Sequence, residues 1–169
     1  MTAPTDKNRI NRTPEFLFRA EADALYGTPV AEVAANLAFE REMAELSDKM
    51  VLEVTALFDE HSLELDFSEE SLGDLDRLVT EVWPEPIEDA DALDAMVANW
   101  GAYLGQTVIE HLGGQWTFRQ DLEHASLYFP RLGLEAFPLH VVRKRLALGP
   151  EESLAGFYEA LVERLTADD

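Results

Sequence analysis

The groups in this chain that could move protons or hold a metal are four histidines and 34 carboxylates, and no cysteine is present to act as nucleophile or soft ligand. Two short clusters bring these types together, Glu110-His111 and Asp121-x-Glu123-His124. Imidazole and carboxylate at His111, Glu123 and His124 are the donor set for zinc or a harder cation. The same groups could serve as acid and base in a small hydrolase or transferase. The spacings that place two ligands on one helix face are missing: there is no HExxH, no His-x-His and no helical Glu-x-x-His. The nucleophile elbow, the phosphate-binding loop and the dinucleotide fingerprint are also missing. With so many carboxylates, any chosen pair says almost nothing about catalysis. The expectation is therefore no cofactor, no metal and no assignable catalytic residue, with His111, Glu123 and His124 as the residual candidates.

Charge makes a stronger statement. Thirteen basic residues oppose 34 acidic ones for a net of −21, and the excess is concentrated: residues 1–30 balance, 31–130 carry −19, and 131–169 carry −2. Between Glu53 and Asp94 fifteen acids face one arginine, Arg77. Such a field disfavours direct binding to a phosphate backbone, where affinity comes from lysine and arginine releasing counterions. It favours a basic partner, or simply solubility, as in the acid-rich proteins of salt-adapted bacteria. The candidate docking residues are Glu69, Glu70, Asp74, Glu81, Glu85, Glu88, Asp89 and Asp91. The function read from them is a non-catalytic, protein-binding module, with a nucleic-acid-mimicking inhibitor of a basic protein as an alternative alongside the enzyme. The basic run Arg143-Lys144-Arg145 reads as cations placed at a helix C-terminus, where the dipole favours them.

The N-terminus has no apolar run behind its charges, and no stretch nears the roughly 18 apolar residues of a spanning helix, so the expectation is a cytoplasmic protein with no membrane partner. Residues 1–12 are polar and aperiodic and read as a flexible arm, ahead of a single domain over 13–169. Thr13-Pro14 offers a helix start, closed at Tyr26-Gly27, and Thr28-Pro29 offers a second. From Val30 to about His61 the apolar spacing is helical, with a slip of phase between Leu37 and Phe39.

Leu63 to Phe67 alternates apolar and acidic residues, the period of a half-buried strand. Ser68 can cap a helix carrying Leu72, Leu75, Leu78, Val79 and Val82, ended by Pro84. Asp89 to Leu112 is the next helix. Gly113-Gly114 stops it, and Gln115–Arg119, Ala125–Phe129 and Leu134–Phe137 read as short strands. Pro138 opens a helix to Leu148, Gly149-Pro150 pairs a stop with a new start, and Leu154 to Leu165 gives a last amphipathic helix.

Gly101 and Gly105 each cost a helix roughly 1 kcal/mol relative to alanine, so they ask for a close approach by a helix or strand backbone. The approaching group is expected from within the fold. A ligand or a second chain in that groove, hence a dimer through a helix face, is the alternative. Trp83, Trp100 and Trp116 sit at helix and strand positions and read as core before they read as stacking platforms.

The run Leu65-Asp66-Phe67-Ser68-Glu69-Glu70-Ser71-Leu72, then Trp100-Gly101-Ala102-Tyr103-Leu104-Gly105, Gly113-Gly114-Gln115-Trp116, and Pro138 followed by Gly149-Pro150-Glu151-Glu152-Ser153-Leu154, resembles an uncharacterised family of small bacterial domains. That family is common in actinobacteria and carries a Gly-Gly-x-Trp motif. The likeness spans about residues 63–166 and implies a shared fold; with no agreed family activity, it implies no catalytic residue. The fold expected is α+β, five or six helices packed against a small antiparallel sheet of three or four strands, with the 63–67 strand joining those after Gly114.

Overall fold

The computed structural model describes residues 6–167, and among them seven α-helices surround one four-stranded antiparallel sheet, an α+β fold. The chain runs through α1 (Lys7–Asn11), β1 (Phe16–Phe18), α2 (Arg19–Tyr26) and the long α3 (Val33–Leu57). A 3-10 turn at Asp59–His61 leads to α4 (Glu69–Val82) and α5 (Ala90–Leu112). Then come β2 (Gln115–Thr117), β3 (Ser126–Phe129), β4 (Leu134–Ala136), α6 (Pro138–Leu148) and α7 (Leu154–Thr166). Strand order is β1-β4-β3-β2. No helix among the described residues is long and apolar enough to cross a membrane.

The later elements form for local reasons. Ser68 accepts from the Ser71 amide at 3.2 Å, Asp89 from the amides of Asp91 and Ala92, and Ser153 from the Gly156 amide, so three helices begin on side-chain caps. At the end of α5, Gly113 and Gly114 take φ of 84° and 99°, which a β-carbon would oppose. Strand register then follows from alternation. Trp116, Leu127, Phe129, Leu134 and Ala136 share one face of the sheet, while Thr117, Ser126, Tyr128 and Glu135 share the other.

Helix α5 is the centre of the molecule. It packs along α3 on one flank and α6 on another, and Trp100 through Gly105 are all buried. A β-carbon at Gly101 would lie 2.6 Å from Leu139 Cγ, and one at Gly105 would coincide with the Cζ2 and Cη2 edge of Trp116. The two glycines thus seat the first turn of α6 and the indole of β2, and the helix face is filled from within the chain. That removes this face as a groove for a ligand or a second subunit.

Several N-terminal expectations are corrected. Residues read as a flexible arm include α1, whose Ile10 is 1% exposed, lies in the main core and sits where α1 packs on α6; residues 1–5 lie outside the described range. The helix start at Thr13-Pro14 is instead followed by strand β1, because Phe16, Leu17 and Phe18 pair with Ala136, Glu135 and Leu134, and the helix begins only at Arg19. The second start, at Thr28-Pro29, is likewise early: α3 begins at Val33 and ends at Leu57, inside the expected 30–61. It keeps the second apolar phase, Phe39, Met43, Met50 and Val54, and leaves Val33 and Leu37 exposed.

Leu63–Phe67 forms no strand. Leu63 and Leu65 are buried and Glu64 and Asp66 exposed, as the alternation requires, but the segment pairs with neither edge strand of the sheet, β1 or β2. The backbone turns out at Phe67, with φ of 61°, and side chains satisfy it: its amide donates to the Tyr103 hydroxyl at 3.0 Å and its carbonyl meets His111 Nε2 at 2.6 Å. After Gly149 the chain makes a turn through Pro150, and α7 starts four residues later at Leu154.

Two sets of substitutions test this packing. Gly105→Ala is expected to destabilise by about 2–3 kcal/mol in denaturant unfolding, since the indole must move. Gly73→Ala, on the exposed side of α4 with nothing near its would-be β-carbon, is expected to be stabilising by roughly 0.5–1 kcal/mol from helix propensity alone. Equal effects at both positions would refute the close approach. Ile10→Ala is expected to lower stability by roughly 2–4 kcal/mol, as buried truncations do; a loss near zero would return residues 7–11 to the status of an arm.

Candidate functional site

The three residues singled out for metal or acid–base chemistry do not come together. His111 lies exposed at the end of α5 and bonds the Phe67 carbonyl. Glu123 lies in the β2–β3 loop and accepts from Arg9 Nη1 of α1 at 3.1 Å. Burial raises the Glu123 pKa, but the hydrogen bond and charge of Arg9 outweigh it, so its carboxyl sits below the ordinary value. His124 turns instead to a histidine that the sequence reading did not single out, His140 on α6. Among the described residues no group of three or more His, Cys, Asp or Glu side chains is placed to hold a metal ion.

The imidazole pair has a definite polarity. His140 Nδ1 lies 2.7 Å from the Pro14 carbonyl, which can only accept, so the proton is on Nδ1. Burial, the largest cause, drives the His140 pKa down to about 4, so the ring is neutral and its Nε2 carries a lone pair. His124 Nδ1, 3.3 Å away, is then the donor. Tyr26 stacks on His124 with centroids 4.0 Å apart, and Phe137 stacks on His140 at 4.9 Å. This relay ties the Pro14 segment, α2, the β2–β3 loop and α6 together. It orients His124, while the adjacent carboxylate of Glu123 is engaged elsewhere.

A second polar cluster lies between the sheet and α2. Arg119 grips Glu135 with two hydrogen bonds of 2.8 Å, donates to Asp23 at 2.7 Å and to the Gly27 carbonyl at 2.6 Å. Arg19 donates to Glu135 at 2.8 Å and to Thr117 at 3.0 Å, and lies over the Tyr128 ring. Glu135 is 0% exposed. Burial pushes its pKa up, but hydrogen bonds from Arg119 and Ser126 and the charge of Arg119 bring it below the ordinary value. Two cations and two carboxylates neutralise one another here, and every group has a structural partner.

The run Arg143-Lys144-Arg145 proves to be mid-helix as well as terminal, and its cations are internal partners. Arg143 pairs with Asp94 at 2.7 Å and Lys144 with Glu15 at 3.7 Å. Arg145 donates to the Asp76 carbonyl and the Thr80 hydroxyl, and the Asp76 carboxylate caps the amides of Leu154 and Ala155 at the start of α7. The dipole explanation is therefore replaced by ion pairing, since only Arg145 lies in the last turn.

The eight candidate docking carboxylates lie along α4, the connection after it and the start of α5, and all but the part-buried Asp74 are exposed. Four have internal work: Asp74 pairs with Arg77, Glu81 with His61, Glu88 with Lys7, and Asp89 caps α5. Glu69, Glu70, Glu85 and Asp91 make no ion pair among the described residues. Of the tryptophans, Trp100 and Trp116 are buried core, and Trp83 is half-buried beside a surface groove. Comparison of the chain with protein-family models, characterised proteins and solved structures returns no match.

The His140 relay has a pH signature. A folded-state pKa near 4 against an unfolded value near 6.5 means that, between these values, only the unfolded chain takes up this proton. The contribution is complete above about pH 6.5 and is lost as pH falls toward about 4, on the order of 3 kcal/mol. In an NMR titration the His140 ring is expected to remain neutral down to about pH 5. A midpoint near that of a free histidine would overturn the assignment of a dry, neutral relay.

Proposed function

We propose that this protein is a non-catalytic binding module whose acidic surface, centred on α4 and the start of α5, docks a basic protein. The observation that carries the reading is a division of charge. Five of the thirteen cations, Arg19, Arg119, Arg143, Lys144 and Arg145, are drawn into ion pairs at the sheet and between helices, whereas Glu69, Glu70, Glu85 and Asp91 point outward with no ion pair among the described residues. An exposed field of one sign steers and holds a partner of the other. The enzyme alternative loses its constellation once His111 is separated from Glu123 and His124.

Poly-lysine serves as the probe. Raising salt from roughly 0.01 to 0.5 M should raise the melting temperature of the free protein, because self-repulsion is screened, and should weaken poly-lysine binding. Converting Glu69, Glu70, Glu85 and Asp91 to their amides should flatten both trends; these four are chosen because none of them caps a helix or closes an ion pair. Failure to bind poly-lysine at low salt, or binding that ignores salt and the four amides, would refute the reading.

A further inference from the structure

The C-terminal ends of α3 and α4 and the N-terminal half of α5 frame an apolar groove of about 230 Å³, lined by Glu53, Leu57, Phe58, Trp83, Met96 and Trp100 among others. Its aromatic walls brace one another. Phe58 and Trp83 meet edge to face with centroids 5.7 Å apart, and Trp83 meets Trp100 in the same way at 6.2 Å. Leu57, at its lip, is 71% exposed, a large apolar side chain left to water where a soluble surface would ordinarily place a polar one.

The electrostatics around it are predominantly negative. Helix α3 ends at Leu57 and α4 ends at Val82, beside Trp83, so the negative ends of two helix dipoles lie at the groove. Neither helix has a basic residue in its last turn. Glu53 lines the groove itself, and exposed Asp59, Glu60, Glu81 and Glu85 flank its aromatic residues in sequence. Against these stand His61, 3.1 Å from Glu81, and Lys49, 3.9 Å from Glu53 in an exposed i,i+4 pair, which water screens. A cation arriving from outside meets two negative helix ends and several carboxylates.

We infer that this groove is an anchor site for a basic amphipathic helix of a partner protein, one large apolar side chain entering between Trp83 and Met96 while lysine or arginine on the adjoining turns meets the helix C-termini and Glu53. The inference rests on the acidic docking reading and names its anchor. Size excludes the other occupants less than charge does, but both count. The volume is below the 300–1,000 Å³ of sites that enclose a whole small ligand and suits one or two side chains. A second copy of this chain brings a net −21 of the same sign as the groove's surroundings, and an anionic bilayer is repelled. Helix-in-groove recognition through methionine and aromatic walls needs an apolar anchor at helical spacing and a basic flank.

The test titrates the full chain with two labelled peptides of equal charge, one of leucine and lysine in helical alternation and one with every leucine replaced by serine. The leucine peptide should bind about ten-fold tighter or more, corresponding to one buried anchor. Leu57→Ser, which alters an exposed residue and no charge, should weaken only that peptide, by several-fold, and Met96→Ala should do the same; circular dichroism confirms that both variants remain folded. If the two peptides bind alike and Leu57→Ser changes neither, the acidic surface binds by charge alone and the groove inference is overturned while the docking reading stands. If neither peptide binds at low salt, both fall. If the leucine peptide binds tightly but is indifferent to both substitutions, it seats elsewhere and the groove assignment is wrong.

Discussion

The bidentate grip of Arg119 on Glu135 is the constraint on which the sheet depends. Glu135 is the middle residue of β4, a strand flanked on both sides, and Arg119 follows β2 across the sheet. Through Ser126 of β3, Thr117 of β2, and Arg19 and Asp23 of α2, the cluster touches three strands and the helix that covers them. Such a pair need not add net stability over an apolar replacement, because desolvating both charges is expensive. What it adds is register. A slip of one residue would carry Glu135 to the face of Trp116, Leu127 and Ala136, where no cation waits. With strands of three and four residues, too short to choose their pairing by hydrogen bonds alone, that penalty distinguishes the native alignment from its neighbours.

The same arrangement shapes the exterior. A chain with 13 cations and 34 acids that draws its arginines into interior and helix–helix pairs leaves its surface more negative than its composition. Arg145 illustrates the trade: it joins α6 to α4 through the Asp76 carbonyl and Thr80, while Asp76 holds the amides at the start of α7, so one arginine and one aspartate fix three helices. Both are then lost to the surface. Self-repulsion among the remaining carboxylates is a standing cost of that choice, reduced by salt or by a partner of opposite charge.

Periodicity and caps made much of the fold readable. The stripe on α4, the Gly-Gly end of α5, Pro138 at the first turn of α6 and the amphipathic α7 all follow from local sequence; the close approach at Gly101 and Gly105 does too, though what approaches is chiefly the side chains of Leu139 and Trp116 rather than a backbone. The parts that were not readable depend on partners distant in the chain. Phe16-Leu17-Phe18 has no alternation to mark it as a strand; it is one because the edge of β4 was open. Leu63–Phe67 has the alternation and is not a strand; it buries Leu63 and Leu65, and the Phe67 backbone is satisfied by the side chains of Tyr103 and His111. A lone apolar residue in a polar segment, Ile10, has no period to reveal it. His140 and Glu135 carried no local signal at all: a histidine in a helix and a glutamate in a strand look solvent-facing until Pro14, His124 and Arg119 are brought to them by the fold.

The candidate site divides along the same line. The acidic surface was legible because charge is additive along a chain and needs no geometry. The groove was not, since Leu57, Trp83 and Trp100 belong to three helices, and their tryptophans read individually as core. What the structure adds is that two helices end there with neither lysine nor arginine in the final turn. Helix ends of this kind are ordinarily closed by a basic side chain or a left-handed glycine. Here α3 ends at Phe58, with φ −123°, and α4 at Trp83, with φ −121°, so both terminate on aromatic residues that also wall the groove. The residues that would ordinarily neutralise these helix ends have given way to ones that shape a cavity. A surface built this way forgoes the small stabilisation that a lysine or arginine in the last turn would give.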